Sequence, residues 1–239
     1  METAEVPAAI LAGGLATRLR PVTESIPKAL VEVGGRPFVD QQLLLLKRKG
    51  VRRVVLCLGY RGEQVQAHLG PEPHGLRVDY SFDGPRLLGT AGALRRAAPQ
   101  LADVFFVVYG DSYTDIDFGA ALEAFLASGA LGLMTVIHNE DRWDRSNVVF
   151  REGRLVLYDK RVRRPDMTHI DYGVAILRRE ALERVPPDGP AELSDLYASL
   201  VAEGRMVGFE VRMRFYEIGS PAGLAETEAY LSSLAEKEG

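Results

Sequence analysis

The chain predicts an α/β fold: one doubly wound, mostly parallel, Rossmann-like sheet with a β-rich elaboration in its second half. Three observations predict it. Short apolar runs alternate with helix-like segments up to about residue 140, the pattern of βα units whose strands are covered on both faces. Two of those runs lead directly into glycine turns, at Gly13-Gly14 and at Gly110-Asp111, and open α/β sheets carry their ligands at strand C-terminal ends. After Trp143 the runs shorten and begin to alternate, as hairpin arms do.

Val6–Ile10 is short, branched and followed by glycine, as a buried strand should be. Pro37–Gly50 is a helix in which Phe38 and Leu43–Leu46 supply the apolar face. Its cations Lys47, Arg48 and Lys49 sit at the C-terminal end, and Gly50 stops it. Val51–Leu58 is a strand holding Cys57, the single cysteine, whose expected role is buried packing. A short helix over Glu63–Leu69, a strand over Leu76–Phe82 and a helix over Gly89–Ala98 follow. Asp103–Tyr109 is a continuous apolar strand, Phe118–Ala127 a helix and Leu131–Ile137 a further buried strand. Asn147–Phe150 and Arg154–Tyr158 flank Glu152-Gly153 as the arms of a hairpin, and His169–Leu177 is another strand. Helices are expected around Arg179–Val185 and Ala191–Glu203, strands at Val207–Arg212 and Phe215–Ile218, and a last helix from Pro221 to about Ala235. The segment Pro186–Pro190 is a rigid surface connection rather than a linker, so residues 1–239 are expected to form one domain.

Composition narrows the function classes. Hydrophobic content of 46% and charged content of 26% suit a globular protein with a real core. A net charge of −4 excludes a general basic surface, so nucleic acid is not an expected partner. The N-terminus has no basic leader region, and no apolar run is long enough to span a membrane. A cytoplasmic protein free of membrane is therefore expected, and self-association into a homo-oligomer is left open. The four histidines, His68, His74, His138 and His169, lack metal-ligand spacing and read as solvated or packed.

Residues 11–28 are the most informative stretch. Gly13 and Gly14 form a flexible turn, Arg18, Arg20 and Lys28 follow, and no acidic residue stands between the glycines and Glu24. Glycines let backbone N–H groups approach a polyphosphate, and the cations neutralise it. The spacing matches neither GxGxxG nor GxxxxGK[ST], which disfavours a dinucleotide-binding oxidoreductase.

The full string LAGGLATRLRPVTESIPKALVEVGGRP, Leu11 to Pro37, resembles the signature LAGGxGTRLxPxTxxxPKxLxxVxGxP of the sugar-1-phosphate nucleotidyltransferases. The one departure is Ala16, where the family has glycine. The resemblance runs from about Ala8 to Tyr230. It implies the nucleotidyltransferase type of sheet, with a nucleotide-binding part at about 6–140 and an acceptor-binding part at about 141–239.

Asp111, just past the strand ending at Tyr109, reads on its own as a turn cap or as a carboxylate at the ligand edge. The resemblance makes it a ligand for Mg²⁺, which takes one or two carboxylates with phosphate oxygens and water. It assigns a second metal carboxylate to Glu217, in FYEIGSP, where the family has aspartate; the alternative is a charge at a strand end. Leu88–Gly92 could pack a helix tightly or meet a flat ligand. By resemblance Gly89 and Thr90, with Leu11 and Ala12, form the base pocket, and Gly13, Gly14 and Gly110 complete the nucleotide contacts. Lys160, in a loop where cations are usually solvated, matches the lysine that grips the acceptor phosphate. Asn147, Asp171, Tyr172 and Gly173 stand at the sugar-binding positions, although Asn147 replaces a glycine and Asp171 an asparagine.

The activity implied is transfer of a nucleoside monophosphate from a nucleoside triphosphate to a phosphorylated acceptor, with Arg18, Lys28, Asp111 and Lys160 as catalytic residues. Among relatives the Gly-Thr-Ala-Gly-Ala segment looks most like heptose- or mannose-1-phosphate guanylyltransferases. Two rivals stand: a cytidylyl- or uridylyltransferase with another acceptor, including a non-sugar phosphate, and a non-catalytic nucleotide-sensing subunit.

Overall fold

The chain was analysed as a computed structural model that describes residues 1–15, 17–19 and 22–238. Ala16 and Arg20 of the signature stretch lie outside the described residues. In chain order the elements are β1 (Ala8–Ala12), β2 (Glu32–Val33), β3 (Arg36–Pro37), α1 (Phe38–Arg48), β4 (Arg53–Leu58) and α2 (Gly62–Leu69). Next come β5 (Arg77–Phe82), α3 (Gly89–Ala97), β6 (Val104–Tyr109), β7 (Ser112–Tyr113), α4 (Phe118–Ser128) and β8 (Gly132–His138). The second half adds β9 (Val148–Arg151), β10 (Arg154–Tyr158), β11 (His169–Arg178), α5 (Leu193–Ala202), β12 (Met206–Val211), β13 (Tyr216–Glu217) and α6 (Pro221–Glu238). The expected helix at Arg179–Val185 is a 3₁₀ segment, Arg179–Arg184, that turns the chain and anchors itself through buried Ala181 and Leu182.

One nine-stranded sheet runs through both halves in the order β10-β9-β11-β6-β1-β4-β5, with β8 paired to β11 and β12. The pairs β1–β4, β1–β6 and β4–β5 are parallel. The strand expected over Leu131–Ile137 forms as β8 but does not continue the parallel array. Its place beside β6 is taken by β11, which arrives from the second half and runs antiparallel. Propensity identifies such strands individually; their neighbours depend on long-range packing.

Side-chain alternation splits the core between two faces. Ala8, Ile10, Leu56, Phe106 and Val108 pack toward α1, α2 and α4. Ala9, Val55, Cys57, Phe105 and Val107 pack toward α3 and α5. Each fully buried large side chain contributes about 1.5–3 kcal/mol, so both faces hold the register firmly. A smaller cluster of Val33, Phe38, Leu45, Tyr113, Ile218 and Leu231 ties α6 to α1, with Tyr216 stacked on Tyr230 at 3.9 Å.

Two polar fasteners complete the frame. Asp40 on α1 accepts from Nε2 of His68 at 2.6 Å and of His74 at 2.5 Å, pinning α2 and the turn after it. These two histidines therefore do pack, on a shared carboxylate that their spacing did not reveal. The second fastener joins the halves. Ala91 and Gly92, at the start of α3, both donate backbone N–H to the carbonyl of Ala191, and Ala191 donates to Leu88. Helix-start N–H groups lack intrahelical partners, and here a distant carbonyl supplies one.

Gly89 makes that fastener fit. Its φ is +70°, and a Cβ there would lie 2.6 Å from the Ala191 carbonyl oxygen. Gly89→Ala is expected to cost at least ~1–2 kcal/mol, read as a lowered urea midpoint at unchanged slope. An unchanged midpoint would show that the two segments do not meet as described.

Candidate active site

The parallel registers place the site. Leu11 lies opposite Cys57 and Tyr109, and Cys57 opposite Ser81. Two residues further along each strand come Gly13, Gly59, Asp111 and Asp83, one row off the C-terminal edge of the sheet. Adjacent strands are ~4.8 Å apart, so the backbones of Asp83 and Asp111 stand about 14 Å apart, with two glycines between them. The glycines are needed for close approach: a Cβ on Gly59 would lie 2.6 Å from the Gly13 carbonyl oxygen.

Over this row opens a cavity of about 560 Å³, within the size range of small-ligand sites. Leu11, Ala12, Gly13 and Gly14 line it, together with Gly89, Thr90 and Gly110. All seven expected nucleotide residues are thus brought to one cavity, and Arg18, Lys28 and Asp111 reach it as well.

At the cation end, Lys28 Nζ donates to Asp111 Oδ2 at 2.8 Å. The Lys28 side chain is 16% exposed and that of Asp111 36%, so the acid stays open to a ligand. A side chain at Gly219 would begin 3.0 Å from an Arg18 guanidinium nitrogen and 3.3 Å from Lys28 Nζ, which puts both cations over the turn preceding α6. Gln42, buried on α1, donates to the carbonyls of Tyr109 at 2.9 Å and Ser112 at 2.8 Å, fixing the Gly110-Asp111 turn. Ile218 N–H donates to the Asp111 carbonyl from the other side.

Glu217 pairs with Ser112 in the β13–β7 ladder. Its carboxylate accepts the Gly219 N–H and, at 2.8 Å, the Ser220 hydroxyl. It stands beside the cation end but is not among the residues lining the cavity. Among the described residues no group of three or more His, Cys, Asp or Glu could cage a metal. Mg²⁺ needs only one or two carboxylates when phosphates and water complete its shell. The accessible Asp111, which lines the cavity, fits such an ion, whereas Glu217 stands outside the lining with both oxygens accepting from the Gly219 turn.

The acceptor-side residues gather one strand further on. Asp171 accepts the Gly173 N–H at 3.0 Å and lies 3.3 Å from the Tyr158 hydroxyl and 3.7 Å from Lys160 Nζ. Asn147 Oδ1 accepts the Asp171 N–H at 3.0 Å, and Lys160 Nζ sits 5.4 Å from the Tyr109 ring centre. Burial and the Asp171 charge both push the Tyr158 hydroxyl pKa far up, keeping it a neutral donor. Asn147, Lys160, Asp171 and Gly173 therefore form one cluster next to the Asp111 turn. Tyr172 does not join it. Strand alternation turns its ring to the opposite face, edge-on to Phe215, with its hydroxyl donating to the Arg214 carbonyl.

Sequence reading missed several lining residues: Cys57, Asp83, Leu87, Pro190, Glu192 and Gly219. Cys57 is buried as expected, with its thiol pushed up to about 12 by burial. Asp83 is 5% exposed and accepts the Leu88 N–H at 3.1 Å. Its sequence signal, a carboxylate directly after a strand, is the one that singled out Asp111. Glu192 accepts from the Thr90 hydroxyl at 2.8 Å, and Thr90 Oγ1 in turn accepts the Leu193 N–H.

Residues 7–147, more than half of the chain, match the family described as "Nucleotidyl transferase". The chain belongs to the nucleotidyl transferase family. A mannose-1-phosphate guanyltransferase of Gibberella zeae is 31% identical over 237 residues, covering 95% of this chain and 65% of the relative. This chain thus spans just under two thirds of that relative's length. Two solved structures share the fold. HddC from Yersinia pseudotuberculosis complexed with GMP-PN has a TM-score of 0.79 at 24% identity, covering 95% of this chain and 99% of that one. The inositol-1-phosphate CTP transferase from T. maritima has a TM-score of 0.75 at 24% identity, covering 97% of each. Among the described residues of this nucleotidyl transferase, no helix is long and apolar enough to cross a membrane.

Burial raises the Asp83 carboxyl pKa, only partly opposed by the Leu88 N–H and by Arg96. A buried acid with a raised folded-state pKa destabilises the fold above that pKa and ceases to do so below its unfolded value. Asp83→Asn is therefore expected to raise the melting temperature of the ligand-free protein at pH 7, with the increment fading as pH falls toward the ordinary carboxylate range. An increment that grew on acidification would contradict a desolvated carboxylate at this position.

Proposed function

We propose that this nucleotidyl transferase moves a nucleoside monophosphate from a nucleoside triphosphate onto a sugar 1-phosphate, releasing pyrophosphate. The preferred donor in this reading is GTP, and the acceptor is mannose 1-phosphate or D-glycero-D-manno-heptose 1-phosphate. The observation that carries it is the meeting of three parts at one edge: the cavity over Gly13-Gly14, the Lys28–Asp111 pair, and the Asn147–Lys160–Asp171–Gly173 cluster beside them. The guanyltransferase named among the relatives supports the choice of base and acceptor.

In the reaction an oxygen of the acceptor phosphate forms a bond to the α-phosphorus, and the bond from that phosphorus to the bridging oxygen of pyrophosphate breaks. The second pKa of a phosphate monoester is about 6, so the nucleophile is already ionised and needs no general base. The task left to the protein is to align two polyanions and offset their repulsion. Arg18 and Lys28 hold the triphosphate and stabilise the leaving pyrophosphate. Lys160, oriented by Asp171, holds the acceptor phosphate, while Asn147 and the backbone at Gly173 face its sugar. Asp111 is the residue that would hold Mg²⁺, with Glu217 as a second candidate; the ion supplies positive charge to the transferring phosphoryl group.

Pyrophosphate release with Mg²⁺ tests this against GTP, CTP, UTP, ATP and dTTP, each with mannose, glucose and heptose 1-phosphates and with inositol phosphate and phosphocholine. Release is expected only when triphosphate and acceptor are present together. Arg18→Ala and Lys28→Ala are each expected to lower turnover at least ~100-fold, the scale of one lost oxyanion donor. Near-normal turnover in either variant would overturn the assigned roles. Absence of triphosphate binding by calorimetry would overturn the reaction.

A further inference from the structure

We infer that Tyr60 and Arg61, in the turn between β4 and α2, latch the cationic loop in the shape that takes a triphosphate. They act as positioning residues, setting how tightly the donor binds without touching it. This rests on the nucleotidyl-transfer reading above and concerns how ready its donor site stands before the ligand arrives.

The loop needs outside support. Between β1 and β2 the only regular elements among the described residues are three-residue 3₁₀ turns, at Thr17–Leu19, Val22–Glu24 and Lys28–Leu30. Turns this short do not hold themselves. Yet Arg18 and Lys28, carried on them, both line the cavity, and two cations brought together repel one another. Lys28 is tied by Asp111, and the dipeptide after Gly59 ties the loop at two further points. The Tyr60 N–H donates to the Gly13 carbonyl at 3.3 Å, and the Tyr60 hydroxyl donates to the Glu24 carbonyl at 3.2 Å. Arg61 Nη2 donates to that same carbonyl at 2.9 Å, while its Nε donates to the Tyr60 oxygen at 2.8 Å. The guanidinium carbon lies 5.3 Å from the Tyr60 ring centre, so the two side chains brace each other. Gly13 opens the loop, and Glu24 stands between Arg18 and Lys28 in sequence. Neither Tyr60 nor Arg61 lines the cavity.

Backbone geometry singles out Arg61. Its φ of 53° and ψ of 31° lie in the left-handed region, where a residue with a Cβ is strained. Glycine is the unstrained choice for such a helix entry, and the neighbouring Gly59 and Gly62 show that this turn uses glycine freely. A strained residue persists where its surroundings fix it. Here the side chain that glycine lacks is the one that grips Glu24. Affinity then follows from population. A loop that is competent only part of the time weakens the apparent affinity by that fraction, and the latch raises the fraction.

The test compares wild type, Arg61→Gly, Tyr60→Phe and the double variant by calorimetric titration with GTP and by limited trypsin cleavage. Cleavage after Arg18 and Lys28, followed by mass spectrometry with and without GTP, reports whether the loop is open. Each single variant is expected to weaken GTP binding at least ~5-fold, the scale of one or two lost hydrogen bonds, and to speed ligand-free cleavage. The double variant is expected to lose less than the product of the two, because both side chains grip one carbonyl. Saturating GTP is expected to restore wild-type protection, and steady-state kinetics to place the defect in KM for GTP rather than in turnover. Arg61→Gly is expected to change the melting temperature by no more than about 2 °C, since relief of strain offsets the added freedom of the unfolded chain. Wild-type GTP affinity, or wild-type ligand-free cleavage, in both single variants would overturn the latch. Tyr60→Phe removes a single oxygen atom and decides the matter if Arg61→Gly does not fold. A wild type that binds no triphosphate would remove the nucleotidyl-transfer reading, and the ligand-free cleavage rates alone would then decide for or against the latch.

Discussion

The parallel pairing of β5, β4, β1 and β6 holds four chain turns at one level, and the rim of the site inherits its geometry from that register. A slip of one residue between any two of these strands would turn Ala9, Val55 or Val107 to the wrong face. Both faces are buried under helices, so such a slip would strip apolar contacts on two sides at once. The row Asp83, Gly59, Gly13, Asp111 is therefore fixed by hydrophobic burial well below the surface. Two carboxylates at its ends and two glycines in the middle leave a trough that a flat, elongated ligand can lie across.

The second half of the chain turns that trough into a cavity. The Ala191 carbonyl takes two N–H groups of α3, and Pro190 and Glu192 form part of the wall. From the opposite side, β11 pairs with β6 and brings Asp171 and Gly173 beside the Asp111 turn. The turn before α6 passes under Arg18 and Lys28. Neither half encloses the site alone, which makes the site sensitive to long-range contacts such as the one at Gly89.

Much of this was legible in the sequence, and the gaps have physical causes. Strand and helix positions follow from local periodicity, and the glycine–cation loop announces itself because phosphate recognition needs contiguous backbone. The position of β11 between β6 and β8 could not be read, because pairing partners are chosen by the packing of distant segments. Tyr172 was misplaced for a simpler reason: it sits between Asp171 and Gly173 in sequence, but alternation sends it through the sheet to Phe215. Asp83 carried the same signal as Asp111 and went unread, since its meaning depends on a row that exists only once β5 and β4 are paired. The clasp of His68 and His74 on Asp40 is of the same kind, three residues from three segments that no spacing rule connects.

The Lys28–Asp111 pair explains how a protein of net charge −4 keeps a cationic pocket in order. Arg18 and Lys28 both approach the Gly219 turn, and two cations held close together repel one another. A carboxylate bonded to one of them offsets that repulsion and fixes the ammonium group in place. The pair is partly exposed, so its own contribution to stability is small. Its value lies in orientation: a group already positioned needs little reorganisation when charge develops in a reaction. Glu217, bonded to the backbone of the Gly219 turn, extends the same logic by holding the peptide beneath both cations. The electrostatics of the site are built by pairing Lys28 with Asp111 and Lys160 with Asp171, and the register of the sheet decides where those carboxylates stand.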